Sequence, residues 1–138
     1  MARPPRKVTA MHSTRPTHVF IVDDSASIRV RLAEMLGRMA EVAVVGEAAS
    51  APEAIAGILR TRPDSVLLDL NLMGHTGLDV MRAVRPRAPE IVFVVLTNHS
   101  EPQYRQVCVE AGARFFLDKS TEFDRVREVI AQISGDRH

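Results

Sequence analysis

Three carboxylates and one amine stand where apolar runs of this chain end. Asp23 and Asp24 follow Val19-Phe20-Ile21-Val22, Asp69 follows Val66-Leu67-Leu68, and Lys119 comes just after Phe115-Phe116-Leu117. Two adjacent acids at the end of a buried strand repel one another and cost free energy on desolvation, so a bound cation would account for them. An all-oxygen donor set favours a hard cation such as magnesium. Three acids and one amine at strand ends are the parts of a magnesium-dependent phosphoryl site, and Thr97, which follows the run Ile91–Leu96, falls at such an end as well. Each residue alone is ordinary. Asp23, Asp24 or Ser25 would serve as a helix cap, Asp69 as a turn residue, Thr97 as a structural hydroxyl and Lys119 as a solvated charge. Only their joint placement is specific.

The elements that must position these groups alternate between strand and helix. Val19–Val22 is a short apolar run, and Ile28, Leu32, Met35, Leu36 and Met39 then recur at helical spacing. Val42–Val45 is the second strand. Ser50 and Glu53, with Pro52 between them, announce the second helix, whose stripe is Ala54, Ile55, Ile58 and Leu59. Val66–Leu68 is the third strand, and Leu78, Met81 and Val84 mark the third helix. Ile91–Leu96 is apolar at every position, as expected of an interior strand of a parallel sheet. Ser100 and Gln103 repeat the capping-box spacing before a helix with the stripe Tyr104, Val107, Cys108 and Ala111, and Gly112 suits its left-handed cap. Phe115–Leu117 is the fifth strand, and Phe123, Val126, Ile130 and Ile133 line the fifth helix. The pattern predicts a doubly wound α/β domain: a parallel sheet between two helical layers, with its ligand site at the carboxyl ends of the strands.

The chain of 138 residues is long enough for one domain with a real core. Arg3, Arg6, Lys7 and Arg15 put four positive charges and no acid in residues 1–17, so a net charge of +1 leaves −3 on the remainder. That balance argues against nucleic-acid binding by the domain itself. Residues 1–17, with Pro4, Pro5 and Pro16, read as a disordered basic extension, and the folded domain as 18–135. Cys108 is the single cysteine, which excludes an internal disulfide, and no apolar run approaches the ~18 residues that span a bilayer. A cytoplasmic protein without a membrane partner is expected.

Val22-Asp23-Asp24-Ser25, Leu67-Leu68-Asp69-Leu70-Asn71, Val95-Leu96-Thr97 and Ala111-Gly112-Ala113-Arg114-Phe115-Phe116-Leu117-Asp118-Lys119 together resemble the response-regulator receiver domain of two-component signalling. The wording is most similar to receivers that precede helix-turn-helix output domains; the chain is expected to stand alone without one. The resemblance implies a flavodoxin-like (βα)5 sandwich with strand order 2-1-3-4-5. It implies that Asp69 accepts a phosphoryl group from a phosphohistidine on a sensor histidine kinase or phosphotransfer protein. Mg2+ would be held by Asp23, Asp24, Asp69 and the backbone carbonyl of Asn71. Lys119 and Thr97 would contact phosphoryl oxygens, as would the backbone N–H groups of Asn71 and Asn98. Thr97 and Phe116 match the switch positions, through which a downstream protein target would sense phosphorylation; a homodimer is compatible with this. Such a protein is a self-modifying signalling switch rather than an enzyme.

The chain departs from the family pattern at three places. Leu72-Met73-Gly74 stands where a Met-Pro pair is usual, which predicts a looser loop after Asp69. Ser120 replaces the common proline after Lys119; a cis bond there would cost about 2.5–4 kcal/mol. Asn98 replaces a small residue after Thr97, and its bulk predicts a longer-lived phosphorylated form. Two rival readings are a phosphorylation-independent binding module, disfavoured by retention of every site residue, and an aspartate phosphatase. The latter needs a second acid two residues after its nucleophile, where Asn71 stands. His75 and His99 lack transition-metal spacing and read as solvated loop residues.

Overall fold

The computed structural model describes residues 15–72 and 74–137. The strands and helices are β1 (Thr17–Val22), α1 (Ala26–Gly37), β2 (Val42–Ala48), α2 (Ala51–Thr61), β3 (Ser65–Leu68), the short pair β4 (Asn71–Leu72) and β5 (His75–Thr76), α3 (Gly77–Val84), β6 (Val92–Thr97), α4 (Pro102–Ala111), β7 (Ala113–Asp118) and α5 (Arg125–Asp136). The main sheet is parallel throughout, in the order β2-β1-β3-β6-β7. This is the predicted 2-1-3-4-5 arrangement, with the numbers shifted by a hairpin that the sequence pattern did not announce.

Side-chain alternation along the strands divides the core in two. Phe20, Val22, Val66, Leu68, Phe93 and Val95 point to the face covered by α2, α3 and α4. Val19, Ile21, Leu67, Val94 and Leu96 point to the other, where Leu32 and Leu36 of α1 and Val126, Ile130 and Ile133 of α5 meet them. Phe20 fills a slot whose walls are Gly46 on β2 and Gly57 on α2. A Cβ at these positions would lie 2.5 and 2.7 Å from the ring. Cys108 is buried, and burial pushes its thiol pKa up.

Several boundaries differ from expectation. Thr17 is fully buried and starts β1, because its hydroxyl donates to Ser134 Oγ (2.9 Å) and accepts from Arg137 Nη1 (2.7 Å). The ordered domain therefore begins before residue 18; residues 1–14 of the predicted extension lie outside the described residues. Ser50 caps α2 as predicted, accepting from Glu53 N–H at 3.4 Å. Ser100 does not cap α4: the N-cap is Glu101, without a side-chain bond. Gly112 takes the left-handed cap with φ of 112°. Only Cys108 of the predicted α4 stripe is deeply buried, while Tyr104 and Val107 are 42% and 39% exposed. The segment after Asp69 is an antiparallel ladder pairing Asn71 with Thr76 and Leu72 with His75, turned by Gly74 at φ 72°. Met73 lies outside the described residues. Lys119–Ser120 is trans, as is every peptide bond among the described residues.

Candidate functional site

Parallel strands end together, and β1, β3, β6 and β7 bring Asp23, Asp69, Thr97 and Lys119 to one rim. Asp23 N–H donates to Ala48 O (3.1 Å) and Asp69 N–H to Val22 O (3.0 Å), so both acids continue the ladder and stay at fixed height. Lys119 N–H donates to Thr97 O (2.8 Å), which pins the amine beside β6.

Lys119 Nζ lies 2.7 Å from Asp23 Oδ2 and 3.0 Å from Asp69 Oδ2. Asp23 is 2% and Asp69 6% exposed. Asp24 is exposed, yet a carboxylate oxygen from each of Asp23, Asp24 and Asp69 lies within 4.8 Å of the other two. Three acids against one amine leave an excess negative charge facing the solvent side of Asp24. Burial drives the Asp69 carboxyl above the usual carboxylate range, with Lys119 opposing and Asp23 adding to the rise. Burial works against the Lys119 ammonium as well, but hydrogen bonding and attraction from Asp23 and Asp69 outweigh it and raise its pKa, so the amine stays charged.

Surrounding groups orient the acids. Asp23 Oδ1 accepts from Ser25 N–H (2.9 Å), and Asp23 O accepts from Arg29 Nη1 (2.6 Å). Asp69 Oδ1 accepts from Asn71 N–H (3.3 Å). Thr97 is fully buried, and its Oγ1 accepts from His99 N–H (3.2 Å), leaving the hydroxyl proton free to donate elsewhere. Asn98 is exposed at the mouth. Phe116 is 6% exposed, with the Arg105 guanidinium 4.9 Å from its ring centroid.

Some contributors escaped sequence reasoning. His99 lies in the loop after β6, as expected, and is half-buried: its Nε2 meets Asn71 Nδ2 at 2.6 Å and its ring lies 5.5 Å from that of Tyr104. His75 is exposed, on β5 rather than in a loop. Gly77, whose N–H donates to Leu70 O (2.9 Å), allows α3 to start against the Asp69 carbonyl, which a Cβ would strike. A glycine opening a helix after a threonine was the available signal. Arg29, which also reaches Glu47 at 3.3 Å, had no signal beyond its charge.

The donors suit a hard divalent cation. All three side chains offer carboxylate oxygens, and the 4.8 Å spread needs only a small contraction for ligands at about 2.1 Å from one centre.

Comparison with known proteins agrees with this geometry. Residues 19–131 match the family model described as the response regulator receiver domain. A DNA-binding transcriptional activator, DevR/DosR of Mycobacterium tuberculosis, is 30% identical over 119 residues, covering 86% of this chain and 55% of that protein. A protein-glutamate methylesterase/protein-glutamine glutaminase of Geobacter sulfurreducens is 36% identical over 124 residues, covering 90% of this chain and 33% of that protein. The chain thus spans about half or less of the length of these curated relatives. Among solved structures, a LuxR-family two-component response regulator from Aurantimonas sp. SI85-9A1 superposes with a TM-score of 0.82 at 29% identity, covering 89% of this chain and 88% of that one. Fold, rim geometry and sequence match converge: the chain belongs to the response regulator receiver domains of two-component signalling.

Proposed function

We propose that the protein is a phosphorylation switch whose Asp69 accepts a phosphoryl group in a Mg2+-dependent reaction. The observation that supports this most strongly is the Lys119 ammonium held between two buried acids, with Asp24 completing an oxygen cluster open to solvent. Asp23, Asp24, Asp69 and the Asn71 carbonyl would hold Mg2+, which supplies charge neutralisation to an otherwise weak carboxylate nucleophile. An Asp69 carboxylate oxygen attacks phosphorus, and the bond from phosphorus to the donor imidazole nitrogen breaks, returning the electron pair to the ring. Lys119 then exchanges a carboxylate partner for a phosphoryl oxygen. Thr97 donates its free hydroxyl proton to a second oxygen, and the N–H groups of Asn71 and Asn98 cradle the rest.

The added phosphoryl carries about two negative charges beside Lys119 and Thr97. Phe116 is already buried, so a shift of Thr97 acts by repacking the Phe116–Arg105 contact rather than by filling a vacant space. Tyr104, Arg105 and Arg125 are exposed on the α4–β7–α5 side and would present the altered surface to a downstream protein, whereas the exposed Arg127 lines a pocket with Arg38 of α1. The donor is a sensor histidine kinase or histidine phosphotransfer protein. The chain acts as a signalling switch rather than a turnover enzyme, in the cytoplasm; no helix among the described residues is long and apolar enough to cross a membrane.

The test is incubation with acetyl phosphate and Mg2+ followed by intact-mass measurement. One added phosphoryl group, absent in Asp69→Asn and with chelator, is the expected result. No addition under any condition would leave the receiver fold as a phosphorylation-independent binding module. Continuous phosphate release without a labelled species would mark a phosphatase.

A further inference from the structure

Asp118, the last residue of β7, gathers four donors on its carboxylate. Ser100 Oγ donates to Oδ2 at 2.5 Å, while Ser120 N–H (2.9 Å), Ser120 Oγ (2.7 Å) and Thr121 N–H (3.0 Å) converge on Oδ1. Its backbone closes the same turn, since Asp118 N–H donates to Glu122 Oε1 and Glu122 N–H to Asp118 O, both at 2.8 Å. The Ser100 hydroxyl first, and then Ser120 and Thr121, hold the Asp118 carboxyl well below the usual carboxylate range, so it stays ionised.

Two features make this more than a turn. Ser100 sits three residues after Thr97, at the place where the sequence predicts a cap for α4, yet its hydroxyl crosses to Asp118 and α4 begins without a side-chain cap. A helix stabiliser is given up for a link between two loops. Asp118 also pairs with Thr97 across the ladder and directly precedes Lys119. The link therefore joins the loop that follows one phosphoryl-contacting residue to the loop that carries the other. The proline usual after Lys119 has neither an N–H nor a hydroxyl, and would remove two of the four donors.

We propose that Asp118 is a positioning residue for phosphoryl transfer: through Ser100, Ser120 and Thr121 it holds the loop that follows Thr97 and the loop that bears Lys119 as one unit. This rests on the reading of Asp69 as phosphoacceptor. Asp118 touches neither Asp69 nor the donor; it acts by fixing where the Lys119 ammonium and the Thr97 hydroxyl point. Misplacing such groups by about 1 Å costs up to ~100-fold in rate.

The experiment uses the full chain at saturating acetyl phosphate. It follows the labelling rate by intact mass, the Mg2+ concentration for half-maximal rate, and thermal unfolding in parallel. Asp118→Ala should label ~10–100-fold more slowly with an unchanged Mg2+ midpoint. Asp118→Asn should restore most of the rate, because its amide oxygen keeps the Ser120 and Thr121 donors and its NH2 group can donate to Ser100. Ser120→Pro should slow labelling. Ser100→Ala, which leaves the turn intact, should slow it less than Asp118→Ala, and it decides the matter if Asp118→Ala fails to fold. Wild-type labelling rates in Ser100→Ala and in folded Asp118→Ala would overturn the proposal, reducing Asp118 to a turn stabiliser. Asp118→Asn as slow as Asp118→Ala would overturn it too, by showing that charge and not placement matters. A wild-type protein that takes no label would remove the Asp69 reading and this inference with it.

Discussion

Replacing Lys119 by methionine keeps the stem of the side chain and removes its charge, leaving Asp23 and Asp69 as adjacent buried acids. The side chains of Lys119, Asp23 and Asp69 are 11%, 2% and 7% exposed, so water screens neither contact well. Breaking a buried pair by deleting one partner costs about 3–5 kcal/mol, because the surviving charge is stranded. Asp24 opens one side of the site to water, which favours the lower end, about 3 kcal/mol or roughly a 10 °C drop in Tm. The loss should depend on pH in a definite direction. The folded pKa of Asp69 is raised, so its contribution to stability is fully present below its unfolded value of 3.8 and is lost as pH rises through the folded value. Removing Lys119 removes the main force opposing that rise. The penalty of Lys119→Met should therefore grow from mildly acidic pH toward pH 8. The folded pKa of Lys119 is raised above 10.5, so the wild-type amine stays protonated and its contribution holds steady through this window. Urea unfolding followed by far-UV circular dichroism in chelator, at pH 5 and pH 8, measures both quantities. Magnesium should stabilise the variant more than the wild type by mass action. A variant as stable as wild type at pH 8 without metal would refute the reasoning, since the pair would then be solvated in practice.

Other expectations follow from particular contacts. Gly57→Ala should destabilise by about 1–3 kcal/mol in denaturant unfolding although alanine favours helix, because the new methyl group meets the buried Phe20 ring at 2.7 Å. If the ring yields freely, the variant will instead be more stable. Asn98 is exposed at the mouth of the site, so Asn98→Ala should open a path for water to a phosphorylated Asp69 and shorten its lifetime; equal decay of label in the two proteins would dismiss that role.

The apolar runs and the acids that end them were legible in the sequence because a buried parallel strand must be apolar on both faces and must stop where charge begins. That is why Asp23, Asp24, Asp69, Thr97 and Lys119 fall on one rim as soon as the strands are parallel. Helix signals that act locally also held, with Ser50 capping α2 and Gly112 closing α4. Ser100 carries the same local signal, but a better acceptor, Asp118, arrives from 18 residues along the chain, and only the folded sheet brings it within reach. The bridge from Lys119 to Asp23 spans 96 residues, and the contact of Asn71 with His99 spans 28. Thr17 reads as part of the tail in the sequence because its partners, Ser134 and Arg137, lie at the far end of the chain. The β4–β5 hairpin is too short to show periodicity, and Gly77 reveals its purpose only against the Asp69 carbonyl. Sequence by itself determined which groups the site contains and that they lie at strand ends, because patterning and capping are short-range. Tertiary structure decided which atoms pair, because contacts between distant segments depend on packing that no local pattern encodes.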